Sequence, residues 1–200
     1  MIAVAATQNQ HKIKEIESIT RPFGIEIISR ERAGVPDIEI EEDGDTFEAN
    51  SEKKATEVMK LSGKTAIADD SGLMVDALGG LPGVISARFA GEDANDARNN
   101  EKLLNLIAEV PDTQRTARFV SVITMAWPDG RIITARGECE GHLLHAPRGS
   151  NGFGYDPLFV PEGFDRTFAE LSPEEKNKIS HRAEALRKLR DALAGLPELK

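Results

Sequence analysis

The chain has 200 residues, 40% of them apolar, and its 34 carboxylates outnumber its 25 lysines and arginines to give a formal charge of −9. A chain of this length buries about 70% of its unfolded surface, and its single cysteine, Cys139, excludes an internal disulfide and a structural zinc site. The acidic balance argues against nucleic acid as a partner, and no segment approaches the ~20 apolar residues of a membrane span, so we expect one cytoplasmic domain over residues 1–200.

The first half of the chain predicts an alternation of strands and helices. Apolar residues with a period of two indicate strands, and apolar residues three or four apart indicate helices. An acidic residue suits the start of a helix and a glycine suits its end. The predicted elements are a strand at 2–6, a helix with Ile13, Ile16 and Ile19 on one face, strands at 24–29 and 37–41, and a helix capped by Asp45 that runs to Ser62 before Gly63.

The second half predicts a strand, a helix, a hairpin and a last helix. Two long apolar runs joined by Pro128-Asp129-Gly130 indicate the hairpin, and the cap Ser172-Pro173-Glu174-Glu175 indicates a helix start. The predicted bounds are 65–68 for the strand, 92–110 for the helix, 118–127 and 131–144 for the hairpin, and a last helix carrying Ala183, Leu186, Leu189 and Leu193. This mixture predicts an elongated α/β fold with a mixed sheet and flanking helices.

Two adjacent acids, Asp69 and Asp70, follow the predicted strand 65–68 and form the only Asp-Asp dipeptide of the sequence. We expect them at the carboxyl end of this strand, where ligands tend to bind in open α/β sheets. Mg²⁺ takes one or two protein carboxylates and keeps its other positions for water or phosphate. The pair therefore predicts a magnesium site, with a solvated turn as the alternative. The acidic run from Glu39 to Asp45 is by itself typical of solvated surface.

A polar turn joins the first predicted strand to the first helix. The residues Thr7-Gln8-Asn9-Gln10-His11-Lys12 place a hydroxyl, an amide and a lysine at the helix start, where backbone N–H groups and the helix dipole favour anions. The turn lacks the glycines of a Walker loop. It predicts a phosphate site, and the alternative is an ordinary asparagine cap beside an exposed lysine.

Two segments of the second half suit a planar ligand. The loop 149–157 has three glycines, which let a backbone approach a ligand, and two aromatic residues, which can stack on a base. Cationic and hydrogen-bonding side chains gather near the last helix, as recognition of a phosphate or a carbonyl-bearing base requires; they are Lys176, Ser180, His181 and Arg182. The alternatives are a structural turn and a plain Ser180 cap.

Five sequence motifs occur in the order found in one enzyme family. They are Thr7-x-Asn9-x-x-Lys12, Glu42-Asp43-Gly44 with Phe47-x-x-Asn50, Ala68-Asp69-Asp70-Ser71-Gly72, Phe153-Gly154-Tyr155-Asp156-Pro157 and Ser180-His181-Arg182. With these motifs the chain closely resembles the inosine/xanthosine triphosphate pyrophosphatases, also called non-canonical purine NTP pyrophosphatases. The resemblance covers nearly the whole sequence. One departure is Ala49, since family members often have Glu or Gly before Asn50.

The resemblance implies a fold, an activity and a set of site residues. It implies two lobes around a central nucleotide-binding cleft, a homodimer, and Mg²⁺-dependent hydrolysis of ITP, dITP and XTP to the monophosphate and pyrophosphate. Glu42 and Asp70 would bind Mg²⁺, with Asp70 also the proton acceptor and Asp69 its support. The phosphates of the nucleotide would contact Thr7, Gln8, Asn9, Gln10, His11 and Lys12, and the phosphates or sugar would contact Lys54 and Ser71. The base would lie in a pocket formed by Phe153, Gly154, Tyr155 and Asp156. The nucleotide, including its 6-oxo group, would also be recognised by Lys176, His181 and Arg182.

Two other functions remain open at this point. The first is a Maf-like pyrophosphatase that acts on other modified triphosphates, which the Phe-Gly-Tyr-Asp and Ser-His-Arg motifs disfavour. The second is a non-catalytic nucleotide-binding module, which would bind a nucleotide without releasing pyrophosphate. The three acids Glu42, Asp69 and Asp70 argue against the second function.

Overall fold

The fold is a mixed α/β sheet with flanking helices, seen in a computed structural model that describes residues 1–195. The predicted fold class is confirmed. Six strands form one sheet in the order β2-β1-β3-β4-β5-β6. The elements are β1 (Ile2–Ala5), α1 (Gln10–Thr20), β2 (Glu26–Ile28), α2 (Phe47–Ser62), β3 (Ala66–Val75), α3 (Asp96–Leu106), β4 (Thr116–Ala126), β5 (Ile132–Leu143), β6 (Phe159–Pro161), α4 (Pro173–Ile179) and α5 (His181–Ala194).

The sheet combines parallel and antiparallel pairs. β1 runs parallel to both β2 and β3, and β5 runs antiparallel to β6. β4 and β5 form the predicted hairpin: the Trp127 amide donates to the Arg131 carbonyl at 2.9 Å, and the Leu143 amide donates to the Arg115 carbonyl at 2.9 Å. Because the partner numbers run in opposite directions along the two strands, the pair is antiparallel.

The chain divides into two compact units, each with its own apolar core. Unit 1 comprises Met1–Asp70, Ser121–Gly137 and the chain from Arg182 onwards, and unit 2 comprises Ser71–Val120 and Glu138–His181. In unit 1, the isoleucine face of α1 packs with the leucines of α5. In unit 2, an aromatic cluster that includes Phe119, Phe159 and Phe168 packs with Leu103 of α3. Within residues 1–195, no α-helix has both the length and the apolarity to cross a bilayer.

The predicted start of α4 and the predicted end of α2 agree with the structure. The predicted box at α4 is present, since Ser172 Oγ accepts from the Glu175 amide and the Glu175 carboxylate accepts from the Ser172 amide. α2 ends at Gly63, whose φ of 62° is the left-handed conformation that favours glycine. The predicted cap Asp45 is wrong by one residue, because Thr46 Oγ1 accepts the Ala49 amide at 3.1 Å.

Several predicted elements differ from the structure. The segment 37–41 alternates like a strand but joins no ladder; the carbonyls of Pro36 and Ile38 instead accept from Arg30 Nη2 at 3.3 and 2.6 Å. The helix predicted at 92–110 is shorter, because the Asn95 side chain caps it and Ile107 leaves the helical conformation. The last helix is two helices, α4 and α5, because Ser180 is extended at ψ 157°.

The strand predicted at 65–68 is β3, and it continues to Val75. Asp69 and Asp70 therefore lie inside the strand and not at its carboxyl end, which corrects the expected placement. Successive side chains of a strand point to opposite faces of the sheet. The two neighbouring carboxylates are consequently directed into different surroundings.

Candidate active site

Asp69 is a fully buried anion held by Lys12, Ser121 and Arg182. Its Oδ1 lies 2.7 Å from Lys12 Nζ and 3.2 Å from Arg182 Nη2. Its Oδ2 accepts from Arg182 Nε at 3.1 Å and from Ser121 Oγ at 2.7 Å. Burial acts to raise the pKa of Asp69, but the positive charges of Arg182 and Lys12 outweigh it and hold that pKa well below its usual value. Asp69 is thus a fixed negative charge.

Arg182 is 1% exposed and binds two carboxylates of this chain. Besides binding Asp69, the Arg182 guanidinium donates a hydrogen bond from Nη1 to the Glu15 carboxylate on α1. Burial lowers the pKa of Arg182, but the two carboxylates outweigh it and raise that pKa, so the cation is stable. The expected contact of Arg182 with a nucleotide base stays a prediction. Sequence reasoning missed Glu15 and Ser121, although Glu15 follows Lys12 by three residues on the same helix and Ser121 is a hydroxyl within the apolar run of β4.

Asp70 is buried like Asp69 but has different partners. It is 4% exposed, and its Oδ1 accepts from Lys54 Nζ at 2.9 Å. Its Oδ2 is buried without a hydrogen-bond partner. Burial raises the pKa of Asp70 above its usual value, against the opposing charges of Lys54 and Lys12. A carboxylate with a raised pKa and an unpartnered oxygen has the properties of a general base.

Lys54 joins three oxygens of unit 1. From α2 its Nζ reaches Glu42 Oε1 at 2.6 Å, Asp70 Oδ1 at 2.9 Å and the Asp69 carbonyl at 2.9 Å. Burial lowers the pKa of Lys54, but Asp70 and Glu42 outweigh it and raise that pKa, so the ammonium is retained. The predicted site residues Glu42, Lys54 and Asp70 are therefore brought together.

The motif Glu42-Asp43-Gly44 with Asn50 is explained by a close approach. The Gly44 amide donates to Asn50 Oδ1 at 2.8 Å, and Asn50 Nδ2 donates to the Gly44 carbonyl at 3.3 Å. A Cβ at Gly44 would lie 2.7 Å from Asn50 Oδ1, so a larger residue would push the segment away from α2. This contact fixes the acidic segment and with it Glu42.

The carboxylates of Glu42 and Asp70 fit a divalent cation. They already share the ammonium of Lys54, and Asp70 Oδ2 is a buried oxygen without a partner, which is costly unless something binds it. Oxygen ligands suit a hard cation such as Mg²⁺. Within residues 1–195 no three His, Cys, Asp or Glu side chains are arranged to hold one ion, so water or phosphate oxygens would complete the coordination of Mg²⁺.

The turn 7–12 forms an asparagine cap at the start of α1. Asn9 Oδ1 accepts from the His11 amide at 2.9 Å and from the Lys12 amide at 3.2 Å, and Thr7 Oγ1 accepts from the Asn9 amide at 3.1 Å. Gln8 and Gln10 are exposed at the start of α1. Lys12 joins the turn to the carboxylate cluster through Asp69. Phosphate binding by this turn stays a prediction.

Unit 2 holds a second cluster of predicted residues around the loop 149–157. Asp156 Oδ2 lies 2.7 Å from Lys176 Nζ, and both side chains are buried. The Phe153 amide donates to the same oxygen at 3.0 Å, and Lys176 Nζ lies 5.0 Å from the centre of the half-buried Phe153 ring. Gly152, at φ 73°, is required here, because a Cβ would collide with Asp156 Oδ2. The cluster joins an aromatic face, a cation and a carboxylate.

Three other predicted residues of unit 2 have different positions. The buried ring of His181 stacks on Phe119, with ring centres 4.8 Å apart and planes at 13°. The Tyr155 hydroxyl donates to the Ser86 carbonyl at 2.8 Å, and burial raises the pKa of this phenol. Ser71 is half-buried in β3. Tyr155 and His181 are thus packed into unit 2, and their contacts with a nucleotide stay predictions.

The chain is similar to several known proteins over nearly its whole length. Residues 3–192 match the model of the Ham1 family. A Desulforamulus reducens protein described as a dITP/XTP pyrophosphatase is 52% identical over 194 residues, covering 96% of each chain. A Clostridium perfringens protein with the same description is 49% identical over 199 residues, covering 96% of this chain and 97% of its own. A solved HAM1 protein from Coxiella burnetii is 41% identical with a TM-score of 0.87, covering 98% of this chain and 100% of its own.

Proposed function

The chain belongs to the Ham1 family, and on this basis we propose that it hydrolyses the non-canonical purine nucleotides dITP, ITP and XTP to the nucleoside monophosphate and pyrophosphate. The observation that carries the proposal is the opposite environment of two neighbouring carboxylates. Asp69 is saturated with donors and has a lowered pKa, whereas Asp70 has a raised pKa and a buried oxygen without a partner. Two neighbouring carboxylates whose pKa values are shifted in opposite directions can have different roles, here a fixed negative charge at Asp69 and the general base at Asp70.

In the proposed reaction Asp70 is the base. The Asp70 carboxylate takes a proton from a water molecule, and the water oxygen bonds to the α-phosphorus while the bond from that phosphorus to the bridging oxygen breaks. The bridging oxygen leaves with pyrophosphate, and the proton leaves Asp70 to solvent. Lys12 and Lys54 place positive charge beside the phosphates, which an acidic protein would otherwise repel.

Glu42 and Asp70 are the proposed holders of Mg²⁺. When bound, the ion supplies charge neutralisation to the triphosphate. Asp69 does not ligate it in this proposal; it keeps Lys12 and Arg182 in place from the other face of β3. The resemblance also implies a homodimer in the cytoplasm, and we propose both for this protein.

Base recognition is assigned to the cluster in unit 2. Phe153 offers a ring for stacking, and the pairing of Lys176 with Asp156 fixes a donor beside it. A donor aimed at a 6-oxo group is left unpaired opposite a 6-amino group, and such polar mismatches reach several powers of ten in kcat/KM. We therefore expect kcat/KM for dATP to lie far below kcat/KM for any hypoxanthine nucleotide.

A substrate panel with product identification tests the function. With Mg²⁺ present, dITP, ITP and XTP are expected to give pyrophosphate and the monophosphate with kcat/KM at least about 10²-fold above that of dATP. ATP, GTP and a modified pyrimidine triphosphate complete the panel. A preference for the pyrimidine substrate would indicate a Maf-like function. Tight binding without pyrophosphate release would indicate a binding module, and both outcomes contradict the proposal.

A further inference from the structure

Helix α3 holds the loop that carries Phe153 and Asp156. Asp96 Oδ2 accepts from the Gly154 amide at 2.6 Å, and Asn100 Nδ2 donates to the Gly154 carbonyl at 3.0 Å. Residues four apart lie on the same face of a helix. Asp96 and Asn100 therefore hold the backbone of one residue, Gly154, by both its donor and its acceptor.

Gly154 is the point at which the loop turns. Its φ of 61° is left-handed, and it separates Phe153 from Tyr155. Tyr155 is fixed independently by its bond to the Ser86 carbonyl. Phe153, on the other side of Gly154, is held at its own amide by Asp156 Oδ2 at 3.0 Å, and the Gly154 peptide groups are a second fixed point for the orientation of its ring.

Helix α3 is itself fixed within unit 2, so it can serve as a support. Asn99 Nδ2 donates to the Ala87 carbonyl at 2.9 Å, and Asn99 Oδ1 accepts from the Ala90 amide at 2.8 Å. On the same helix, Leu103 is fully buried in the aromatic core. The side chains of Asp96 and Asn100 are thus attached to a rigid element, which is the arrangement that keeps a binding site in a constant geometry.

We propose that Asp96 and Asn100 are positioning residues for base recognition, which set the pose of Phe153 through Gly154. The proposal rests on the function proposed above. The two residues act on the loop and not on the reacting atoms. Their loss therefore weakens nucleotide binding and base discrimination while the chemical step at Asp70 continues.

The test compares Asp96→Ala and Asn100→Ala with the wild type and with Asn105→Ala, an exposed position on the same helix. For each of the two variants we expect KM for dITP to rise about tenfold while kcat stays within about twofold, because a lost hydrogen bond to a positioning group weakens binding by this factor. Amide hydrogen exchange of residues 149–158 should accelerate in both variants. Asn105→Ala should match the wild type, and Asp96→Asn, which keeps an acceptor oxygen, should recover most of the affinity.

Two results would overturn the α3 proposal. One is an unchanged KM in both alanine variants, even with faster exchange of the loop. The other is a fall in kcat that is accompanied by a fall in melting temperature, which would mean that the two residues only stabilise the fold. A wild-type protein that does not hydrolyse dITP would instead overturn the proposed function, so the two failures are distinguishable.

Discussion

Replacement of Asp70 by asparagine is expected to lower kcat about 10³-fold, since general base catalysis contributes on this order. Asparagine has the size of aspartate and keeps an oxygen for Lys54 Nζ, which lies 2.9 Å from Asp70 Oδ1. It cannot accept a proton from water. Steady-state hydrolysis of dITP by Asp70→Asn measures the loss, and a kcat within tenfold of the wild type would remove Asp70 from the role of base.

The stability of Asp70→Asn separates this loss from unfolding. Burial raises the pKa of Asp70 in the folded protein, so its ionised form opposes folding at neutral pH. We therefore expect a melting temperature equal to or above that of the wild type. Asp43→Asn is the matched control, because Asp43 is an exposed acid next to Glu42 whose carboxylate pairs with Lys53 at 2.6 Å. This control should keep both kcat and stability.

Asp69→Asn, unlike Asp70→Asn, is expected to destabilise the protein. We expect it to lower the free energy of unfolding by about 3–5 kcal/mol at pH 7. The substitution removes the negative charge that Lys12 and Arg182 share inside the protein. Arg182 then loses the carboxylate of Asp69 and keeps that of Glu15, while it stays buried. Urea unfolding of both proteins measures the difference, and Asp129→Asn, an exposed carboxylate paired with Arg131, is the control that should resemble the wild type.

The pH dependence of the difference in unfolding free energy between wild type and Asp69→Asn is an independent check on the ionisation of Asp69. The pKa of Asp69 is lowered in the folded protein, so its contribution is fully present above the ordinary pKa of an aspartate, about 3.9, and is lost as the pH falls through the folded value. The gap in unfolding free energy between wild type and Asp69→Asn should therefore narrow in acid. A gap that stays constant from neutral pH to pH values of about 2–3 would contradict the assigned ionisation.

Features encoded by neighbouring residues were predictable from the sequence. The capping box at Ser172, the Gly63 helix end and the hairpin turn at Pro128 each depend on residues within a few positions. The segment 37–41 shows the limit of such patterns. It alternates in polarity, but a strand also requires a partner strand, and Arg30 takes the carbonyls of Pro36 and Ile38 instead.

The position of the two acids in β3 was not predictable for a physical reason. Two adjacent carboxylates in a buried strand need compensating charges, and one of these comes from Arg182, which lies 113 positions along the chain from Asp69. The sequence motifs contain Glu42, Asp69 and Asp70, but the ion pairs that these acids make with Lys54 and Arg182 depend on the fold. Asp96 and Asn100 carried no motif at all, because their role depends on backbone groups of Gly154.

The most direct measurement of the proposed reaction is hydrolysis of dITP with Mg²⁺ in ¹⁸O-labelled water, followed by mass spectrometry of both products. Because the water oxygen bonds to the α-phosphorus and the bridging oxygen leaves, we predict one labelled oxygen in dIMP and none in pyrophosphate. Label in pyrophosphate, or the release of dIDP and orthophosphate, would contradict the account.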